Sequence, residues 1–238
     1  MGELLLNCDL GENESAAQTE CLIARVGAAN ICCGVHAGSL EKTRATLELA
    51  KRFGVLVGAH PGLAVAGGRG GAVPSVAELD ALLQEQLGSF VALAGEVDVP
   101  VSYVKLHGTL YHAVEQNDRL AEAYLRRIKL MDTNVGIFSL AGGRLSRVAR
   151  ADGIRVWEEA FADRGYTESG QLVPRDQPGA LIDGVSAAVE RLRQWQQTGA
   201  MPTVDGGSVA FSAETVCVHS DSPDALKLLE ALRASGIC

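Results

Sequence analysis

The sequence has no long apolar run, no run of Lys or Arg, and no paired-cysteine motif. The apolar stretch Leu4–Leu6 is too short for the core of a signal peptide, and no other apolar run could span a bilayer, so we expect a cytoplasmic protein that does not enter the membrane. A formal net charge of −8 argues against binding to nucleic acid or to an anionic membrane surface. A small solute is the expected partner.

Two further motifs are absent. None of the six cysteines has C-x-x-C spacing, and the adjacent Cys32 and Cys33 are poor disulfide partners for each other, so the cysteines are predicted to be reduced packing residues. The pattern G-x-x-x-x-G-K-[ST] is missing as well, which excludes a P-loop as the form of any nucleotide site.

What the sequence does contain is enough apolar material for one large core. The chain has 238 residues, of which 47% are hydrophobic, and an α/β barrel of this size need not divide into separate domains. We therefore predict a single domain over residues 1–238.

The stretch Ala29–Ser39 contains the unit from which the chain is built. Its Ile31–Cys33 segment suits a strand that is buried on both faces, and the glycines at 34 and 38 allow a sharp turn around His36. Ser39 then reads as the N-cap of a helix over Leu40–Phe53. The unit is a strand, a polar turn and a helix.

This unit recurs along the chain. Alternating strands and helices indicate a parallel sheet with the helices outside, and on a closed barrel all strand exits share one rim. The fold class is therefore α/β, a seven-stranded parallel β/α barrel. The predicted strands are Leu4–Leu6, Ile31–Cys33, Val55–Gly58, Ser102–Lys105, Val135–Ser139, Ile154–Glu158 and Thr215–Val218.

Helices and loops are predicted from their caps and breakers. Two loops, Leu63–Pro74 and the one from Ala160 to Gly179, are long enough to reach over a site. The predicted helices include Thr19–Ala28, one opened by the capping box at Ser75, Asp118–Ile128, Asp183–Gln197, and a last helix with Ser222 as N-cap and Pro223 at its first position.

Four side chains capable of chemistry follow predicted strands, and we expect them on one rim: Asp9, His36, His60 and His107. Asp9 could instead cap a turn, and any one of the histidines could be structural, but together they favour a shared site. His112, inside a helix, is interpreted as structural. The role of His219 stays open.

The cations of the expected rim need anions. An unpaired buried ammonium would be costly, so Lys105 should be neutralised by Asp9 or by a substrate anion. Arg164 could pair with Asp163 or another acid and hold the long loop, or it could contact substrate. Arg69 has glycine neighbours, so we expect it to be mobile without ligand and ordered by an anion.

Six segments together resemble the LamB/YcsF family, whose members are the A component of the ATP-dependent bacterial 5-oxoprolinase. The resemblance implies a barrel related to those of glycoside hydrolases and deacetylases, opening of 5-oxo-L-proline to L-glutamate at the expense of ATP, and two partner subunits. The segments are Asn7–Glu12, Ala29–Ser39, Gly58–Pro61, Val104–Tyr111, Phe161–Tyr166 and Leu172–Arg175.

Opening a lactam requires an activated carbonyl oxygen, a nucleophilic water and a proton for the leaving nitrogen. The resemblance and this chemistry together suggest Asp9, His36, His60, Lys105 and His107 as catalytic residues. The candidates for binding substrate or phosphate are Asn7, Glu12, Asn30, Arg69, Tyr111, Asp163, Arg164 and Arg175.

The expected cofactors are ATP and Mg²⁺ or another divalent metal. Candidate metal ligands are Asp9, His36 and His60, and the backbone N–H groups of Gly67–Gly71 and of Gly142 and Gly143 could face phosphate.

Two other hypotheses stay open. One is a metal-dependent deacetylase, in which Asp9 with His36, His60 or His107 would hold Zn²⁺ with an open position. The other is a non-catalytic, substrate-binding subunit, since the Leu63–Gly71 loop lacks an acid and an arginine that are usual in the family.

Overall fold

The computed structural model describes residues 4–132 and 134–238. Over this part of the chain, seven parallel strands close into a barrel in the order β1-β2-β3-β4-β5-β6-β9, as predicted. The barrel strands are β1 (Leu5–Leu10), β2 (Ala28–Cys32), β3 (Leu56–His60), β4 (Val101–Val104), β5 (Gly136–Leu140), β6 (Val156–Phe161) and β9 (Thr215–His219).

Helices surround the barrel, and several begin at the caps that the sequence indicates. Ser39 accepts a hydrogen bond from the Lys42 N–H, and Ser75 forms a capping box with Glu78. Among the described residues, no helix has both the length and the apolar character needed to cross a membrane. The helices are α1 (Ala16–Ile23), α2 (Leu40–Phe53), α3 (Val76–Val97), α4 (Gly108–Gln116), α5 (Asp118–Lys129), α6 (Arg144–Ala151), α7 (Val185–Thr198) and α8 (Ala225–Ala234).

Several predicted elements differ from the observed ones in their bounds. Helix α1 starts at Ala16 because Ser15 forms a capping box with Gln18, and it ends before β2. The last helix starts at Ala225 and not at Pro223, because the Ala225 N–H donates to the Ser222 carbonyl in a preceding turn. The segment that follows α7, for which the sequence predicts no strand, forms an antiparallel hairpin of β7 (Ala200–Pro202) and β8 (Ser208–Ala210).

The most consequential difference concerns β1. The sequence predicts a strand that ends at Leu6, but β1 continues to Leu10, so Asn7 and Asp9 lie within the strand. Successive strand residues face opposite sides, so Leu6 packs with the helices while Asn7 and Asp9 share the barrel's inner face. The middle of the barrel is therefore polar.

An apolar layer closes the bottom of the barrel. The Tyr103 ring stacks on Phe138 at 3.8 Å between ring centroids, and the Tyr103 hydroxyl donates to Asn30 Oδ1 at 2.7 Å. Tyr103 thereby joins this layer to the polar residues above it. Its members are Leu5, Ala28, Tyr103, Phe138 and Trp157.

Gly58 in β3 is required by the position of this tyrosine. A Cβ atom at residue 58 would overlap the Tyr103 ring, which cannot move without losing its stacking and its hydrogen bond. We expect Gly58→Ala to lower the free energy of unfolding by about 2 to 3 kcal/mol, measured by urea unfolding. The matched control is Gly88→Ala, an exposed position in α3 with open space around it. This change should raise stability by up to about 1 kcal/mol, and equal effects at the two sites would contradict the argument.

Candidate active site

The strand ends bring the predicted acid and histidines together at one rim. In the strand register, Asp9 lies between Asn30 of β2 and His219 of β9. Asp9 Oδ2 is 3.5 Å from His60 Nε2, and His60 Nε2 is 2.9 Å from His107 Nδ1. The prediction that these side chains share a rim is confirmed.

His36 joins the group through Glu12. The Glu12 carboxylate Oε1 lies 3.1 Å from His36 Nε2 and 3.2 Å from His107 Nδ1. Burial would raise the pKa of the Glu12 carboxyl, but the neighbouring His107 and His36 rings hold it well below its usual range. The pKa of His36 is raised, because its hydrogen bonds to Cys32 and Glu12 outweigh the opposing effect of burial. For His60, burial dominates and lowers the pKa to about 4.

Lys105 lies at the centre of a second cluster inside the barrel. Its Nζ atom is 3.1 Å from Asp9 Oδ1, 2.9 Å from Glu159 Oε1 and 3.0 Å from Cys217 Sγ. The expected neutralisation by Asp9 is thus present, and Glu159 adds a second carboxylate. The residue is 2% exposed, so these contacts replace its hydration.

The same contacts shift the pKa values of the two carboxyls in opposite directions. Burial would raise the pKa of Asp9, but Lys105 and then His60 hold it well below its usual range. At Glu159, burial raises the pKa by more than Lys105 lowers it, so the pKa of this carboxyl is raised. Burial alone would lower the pKa of Lys105, yet Asp9, Cys217 and Glu159 keep it well above its ordinary value. Asp9 is therefore ionised at neutral pH, and Glu159 holds its proton to higher pH than Asp9 does.

Two predicted binding residues lie one layer below. Asn30 Nδ2 donates to Asp9 Oδ1 at 2.8 Å and to Asn7 Oδ1 at 2.7 Å, and Asn7 Nδ2 donates to Glu159 Oε1 at 2.9 Å. Neither asparagine is among the residues that line the cavity. They orient the two carboxylates from beneath.

His219 and Asp163 form a pair on the opposite side of Asp9. His219 Nδ1 lies 2.9 Å from Asp163 Oδ1, and the His219 backbone N–H donates to Asp163 Oδ2 at 3.1 Å. His219 Nε2 is 3.9 Å from Asp9 Oδ2. Burial would raise the pKa of Asp163, but His219 lowers it. Asp163 orients the histidine, whose role the sequence left open.

The three arginines are partly held by the protein. Arg69 Nη1 and Arg175 Nη1 lie 2.9 Å and 3.0 Å from the same Asp221 Oδ2. Arg69 is therefore paired without any ligand, contrary to the expectation that it is unrestrained. Arg164 donates to the carbonyls of Ala180 at 3.0 Å and of Val173 at 2.6 Å, so it holds the long loop through the backbone and not through Asp163.

A cavity of about 460 Å³ opens above these clusters. A volume of this size suits a small-molecule ligand. Tyr111 contributes to the wall, and its hydroxyl donates to Glu159 Oε2 at 3.3 Å. The lining residues are Asp9, His60, Arg69, Gly70, Lys105, Leu106, His107, Gly108, Thr109, Tyr111, His112, Phe161, Arg164, Leu172, Pro174, Arg175, Asp176 and His219.

Among the residues that the structure describes, two buried groups have the donor atoms to hold a metal ion. Glu12, His36, His60 and His107 offer atoms that all lie within 4.8 Å of one another, and Asp9, Cys217 and His219 form a second such group. The predicted set of Asp9, His36 and His60 is thus divided between the two groups.

The sequence did not single out Glu159, Cys217 or Asp221 as site residues. Glu159 falls just beyond the predicted end of its strand, whereas β6 continues to Phe161. The alternation of Trp157, Glu159 and Phe161 along that strand was the available signal.

His112 lines the cavity and gives a test by pH. Burial, with Arg164 and Arg175 nearby, lowers its pKa to about 4 from an ordinary value of 6.5. Since the unfolded chain takes up this proton at higher pH, acid favours unfolding as the pH falls from 6.5 toward 4. Both chains should become less stable as the pH is lowered from about 7 to 4.5. We expect the loss in free energy of unfolding, measured by urea unfolding, to be about 2 to 3 kcal/mol smaller in His112→Gln than in the wild type. Parallel pH profiles for the two chains would contradict this.

Comparison with known proteins agrees with this architecture. The model of the LamB/YcsF family matches residues 4–236. The chain is 36% identical to the A component of 5-oxoprolinase from Syntrophobacter fumaroxidans, over 98% of this chain and 95% of that protein. A lactam utilization protein from Thermus thermophilus superposes with a TM-score of 0.87 at 34% identity, covering 98% of this chain and 97% of that one.

A more distant structure extends the likeness of fold only. The family 4 carbohydrate esterase from Streptomyces lividans superposes with a TM-score of 0.50 at 10% identity, over 99% of this chain and 90% of that one. The predicted barrel type, that of glycoside hydrolases and deacetylases, is confirmed. With a family match over almost the whole chain and a relative of more than one-third identity, this chain belongs to the LamB/YcsF family.

Proposed function

We propose that the chain is the A component of an ATP-dependent 5-oxoprolinase, which opens 5-oxo-L-proline to L-glutamate while ATP becomes ADP and phosphate. The observation that carries this proposal is the ionised Asp9 carboxylate, which faces one cavity together with His60, His107 and His219. The names of the close relatives support the same reaction.

The arginines around the cavity suit the carboxylate of the substrate. Within the described chain, Arg175 Nη2 is buried and has no hydrogen-bond partner, although its Nη1 is paired with Asp221. A buried guanidinium N–H without an acceptor is costly, and a substrate carboxylate would supply one. We assign this contact to Arg175, with Arg69 beside it on Asp221.

Asp9 is then the proton acceptor for the attacking water. With the lactam carbonyl oxygen phosphorylated by ATP and ADP released, the oxygen of one water adds to the carbonyl carbon and its proton passes to Asp9. The C–N bond then breaks as the ring nitrogen takes up a proton, and a second water splits phosphate from the resulting acyl phosphate to leave glutamate. Lys105 keeps Asp9 ionised before the reaction. His107 and His219 are the candidates for returning a proton to the nitrogen, because both line the cavity.

Four of the glycine N–H groups that the sequence suggests for phosphate binding are already bonded within the protein. The N–H groups of Gly67 and Gly68 already donate to the carbonyls of His36 and Val65. Gly142 donates to the Glu158 carboxylate and Gly143 to the Leu140 carbonyl. We therefore assign nucleotide binding to the two proposed partner subunits. Because the reaction consumes ATP, we place the complex in the cytoplasm.

The direct test is release of ADP and glutamate from 5-oxo-L-proline by this chain, by the partner subunits, and by all of them together. We expect both products in equal amounts from the complete mixture only. Glutamate formation at the same rate without this chain would make it non-catalytic, and no glutamate from the complete mixture would refute the proposal.

Metal-dependent deacetylation is the second candidate. It is favoured by the buried group of Glu12 with three histidines next to the cavity. Release of acetate from acetylated amino acids or sugars by the chain alone, abolished by a chelator, would favour this reaction over lactam opening.

A further inference from the structure

We infer that Glu12, His60 and His107 form a three-ligand site for a divalent transition metal at the inner end of the cavity. The inference starts from the ring nitrogens that face away from the site. His60 Nδ1 lies 2.8 Å from the Lys105 carbonyl oxygen, and His107 Nε2 lies 2.9 Å from the Gly67 carbonyl oxygen. A carbonyl oxygen only accepts hydrogen bonds, so both of these nitrogens carry the hydrogen.

The tautomers of both rings follow. When the rings are neutral, His60 Nε2 and His107 Nδ1 carry lone pairs, yet these two atoms are 2.9 Å apart. Glu12 Oε1 is 3.2 Å from His107 Nδ1 and 3.8 Å from His60 Nε2. Three electron-pair donors thus converge in a buried place, an arrangement that requires a cation between them.

The spacing of the three atoms suits a metal ion. Ligand atoms at about 2.0 to 2.1 Å from a tetrahedral Zn²⁺ lie roughly 3.3 to 3.4 Å from one another. The observed separations of 2.9, 3.2 and 3.8 Å lie on both sides of this value. Metal-bound histidines almost always donate their other N–H to a carboxylate, a backbone carbonyl or a water, and both rings of this site face a backbone carbonyl.

Ring orientation separates His36 from the ligands. The His60 and His107 rings are nearly perpendicular, at 88°, so their planes can meet at one metal ion. The His36 ring stacks on His107 with an interplanar angle of 13° and centroids 4.1 Å apart. Two stacked planes do not meet at a nearby point, so His36 would not bind the same ion. It holds Glu12 in place through the 3.1 Å contact.

The site is open toward the cavity. His60 and His107 line the cavity together with Asp9, whose Oδ2 is 3.5 Å from His60 Nε2. Three protein ligands with one position open to the cavity are typical of catalytic zinc sites. Two imidazoles and one carboxylate favour Zn²⁺ or Co²⁺ over the Mg²⁺ that the sequence suggested. The inference rests on side-chain geometry and is independent of which reaction the cavity performs.

The test is metal binding by the full chain, freed of metal by a chelator and then titrated with Zn²⁺ and with Co²⁺. We expect one equivalent of Zn²⁺ per chain and a visible Co²⁺ spectrum of low coordination number. Glu12→Gln and His107→Gln should each weaken Zn²⁺ binding at least about a hundredfold, and His36→Gln, beside the ligands, by roughly tenfold to a hundredfold. His112→Gln, which changes another cavity histidine, should bind like the wild type.

Melting curves recorded in the presence of chelator show whether each variant is folded. The Co²⁺ spectrum of the wild type tests the site even if one variant does not fold. A folded wild type without stoichiometric binding would overturn the inference and leave a shared proton between the two rings. Loss of binding in Cys217→Ser, with Glu12→Gln unaffected, would also overturn it, since the ion would then belong to the Asp9, Cys217 and His219 group. Neither outcome involves lactam opening, so the two proposals can fail separately.

Discussion

Asp9→Asn is expected to lower lactam-opening turnover at least about a hundredfold while the chain stays folded. General-base loss typically costs about two to four orders of magnitude in rate. The substitution keeps the size of the side chain and an oxygen for Asn30 and Lys105, but it removes the charge that faces His60 and His219. Stability should change little, by roughly 1 to 2 kcal/mol, because Lys105 keeps its contact with Glu159.

Turnover and melting temperature should be measured on the same sample of the assembled complex. The matched control is Asp205→Asn, the same chemical change at an exposed turn of the β7–β8 hairpin, which should leave both quantities unchanged. If Asp9→Asn turns over at nearly the wild-type rate, Asp9 is not the base, whatever its effect on stability.

The fold could be predicted because the chain repeats one unit. Each strand is a short apolar run with a polar exit, and parallel strands joined by helices place every exit on the same rim. This topology alone brought together Asp9, His60 and His107, which are far apart in sequence, and no distance information was needed.

The interior of the barrel could not be predicted in the same way. The sequence pattern indicates a strand exit at Asn7 and Asp9 because polar residues usually end a buried strand, whereas these two residues are buried within β1. They are stable there because Glu159, Asn30 and Lys105 satisfy them across the barrel. Such partners lie on other strands, and local sequence patterns carry no record of them.

Arg69 shows the same limit outside the barrel. Its glycine neighbours indicate a flexible backbone, but its position is also set by Asp221, which is 152 residues away in the sequence. The local composition indicates the flexibility of the loop backbone but carries no information about Asp221, the partner of the Arg69 side chain. An ion pair of this exposure contributes about 1 kcal/mol or less, so a substrate carboxylate can still compete for the guanidinium.

The largest stability change is expected from Lys105→Met. It removes the ammonium and leaves the Asp9 and Glu159 carboxylates buried without their cation. Breaking a buried ion pair typically costs about 3 to 5 kcal/mol, and we expect a loss of this size in urea unfolding at neutral pH. Lys129→Met is the control, since the Lys129–Asp152 pair is 2.7 Å apart but exposed, and its loss should cost less than about 1 kcal/mol.

The cause can be separated from lost packing by a second change. The double variant Lys105→Met/Glu159→Gln replaces the carboxyl of residue 159 by a neutral amide. Asn7 and Tyr111 can still form hydrogen bonds to this amide. We expect the double variant to recover at least about 1 kcal/mol relative to Lys105→Met. The defect of the single variant should also shrink as the pH falls, because burial already raises the pKa of Glu159 and the folded variant would take up a proton there. If the double variant is less stable than Lys105→Met, and the defect does not change with pH, then Lys105 stabilises the barrel through the packing of its alkyl chain and not as the counterion of Asp9 and Glu159.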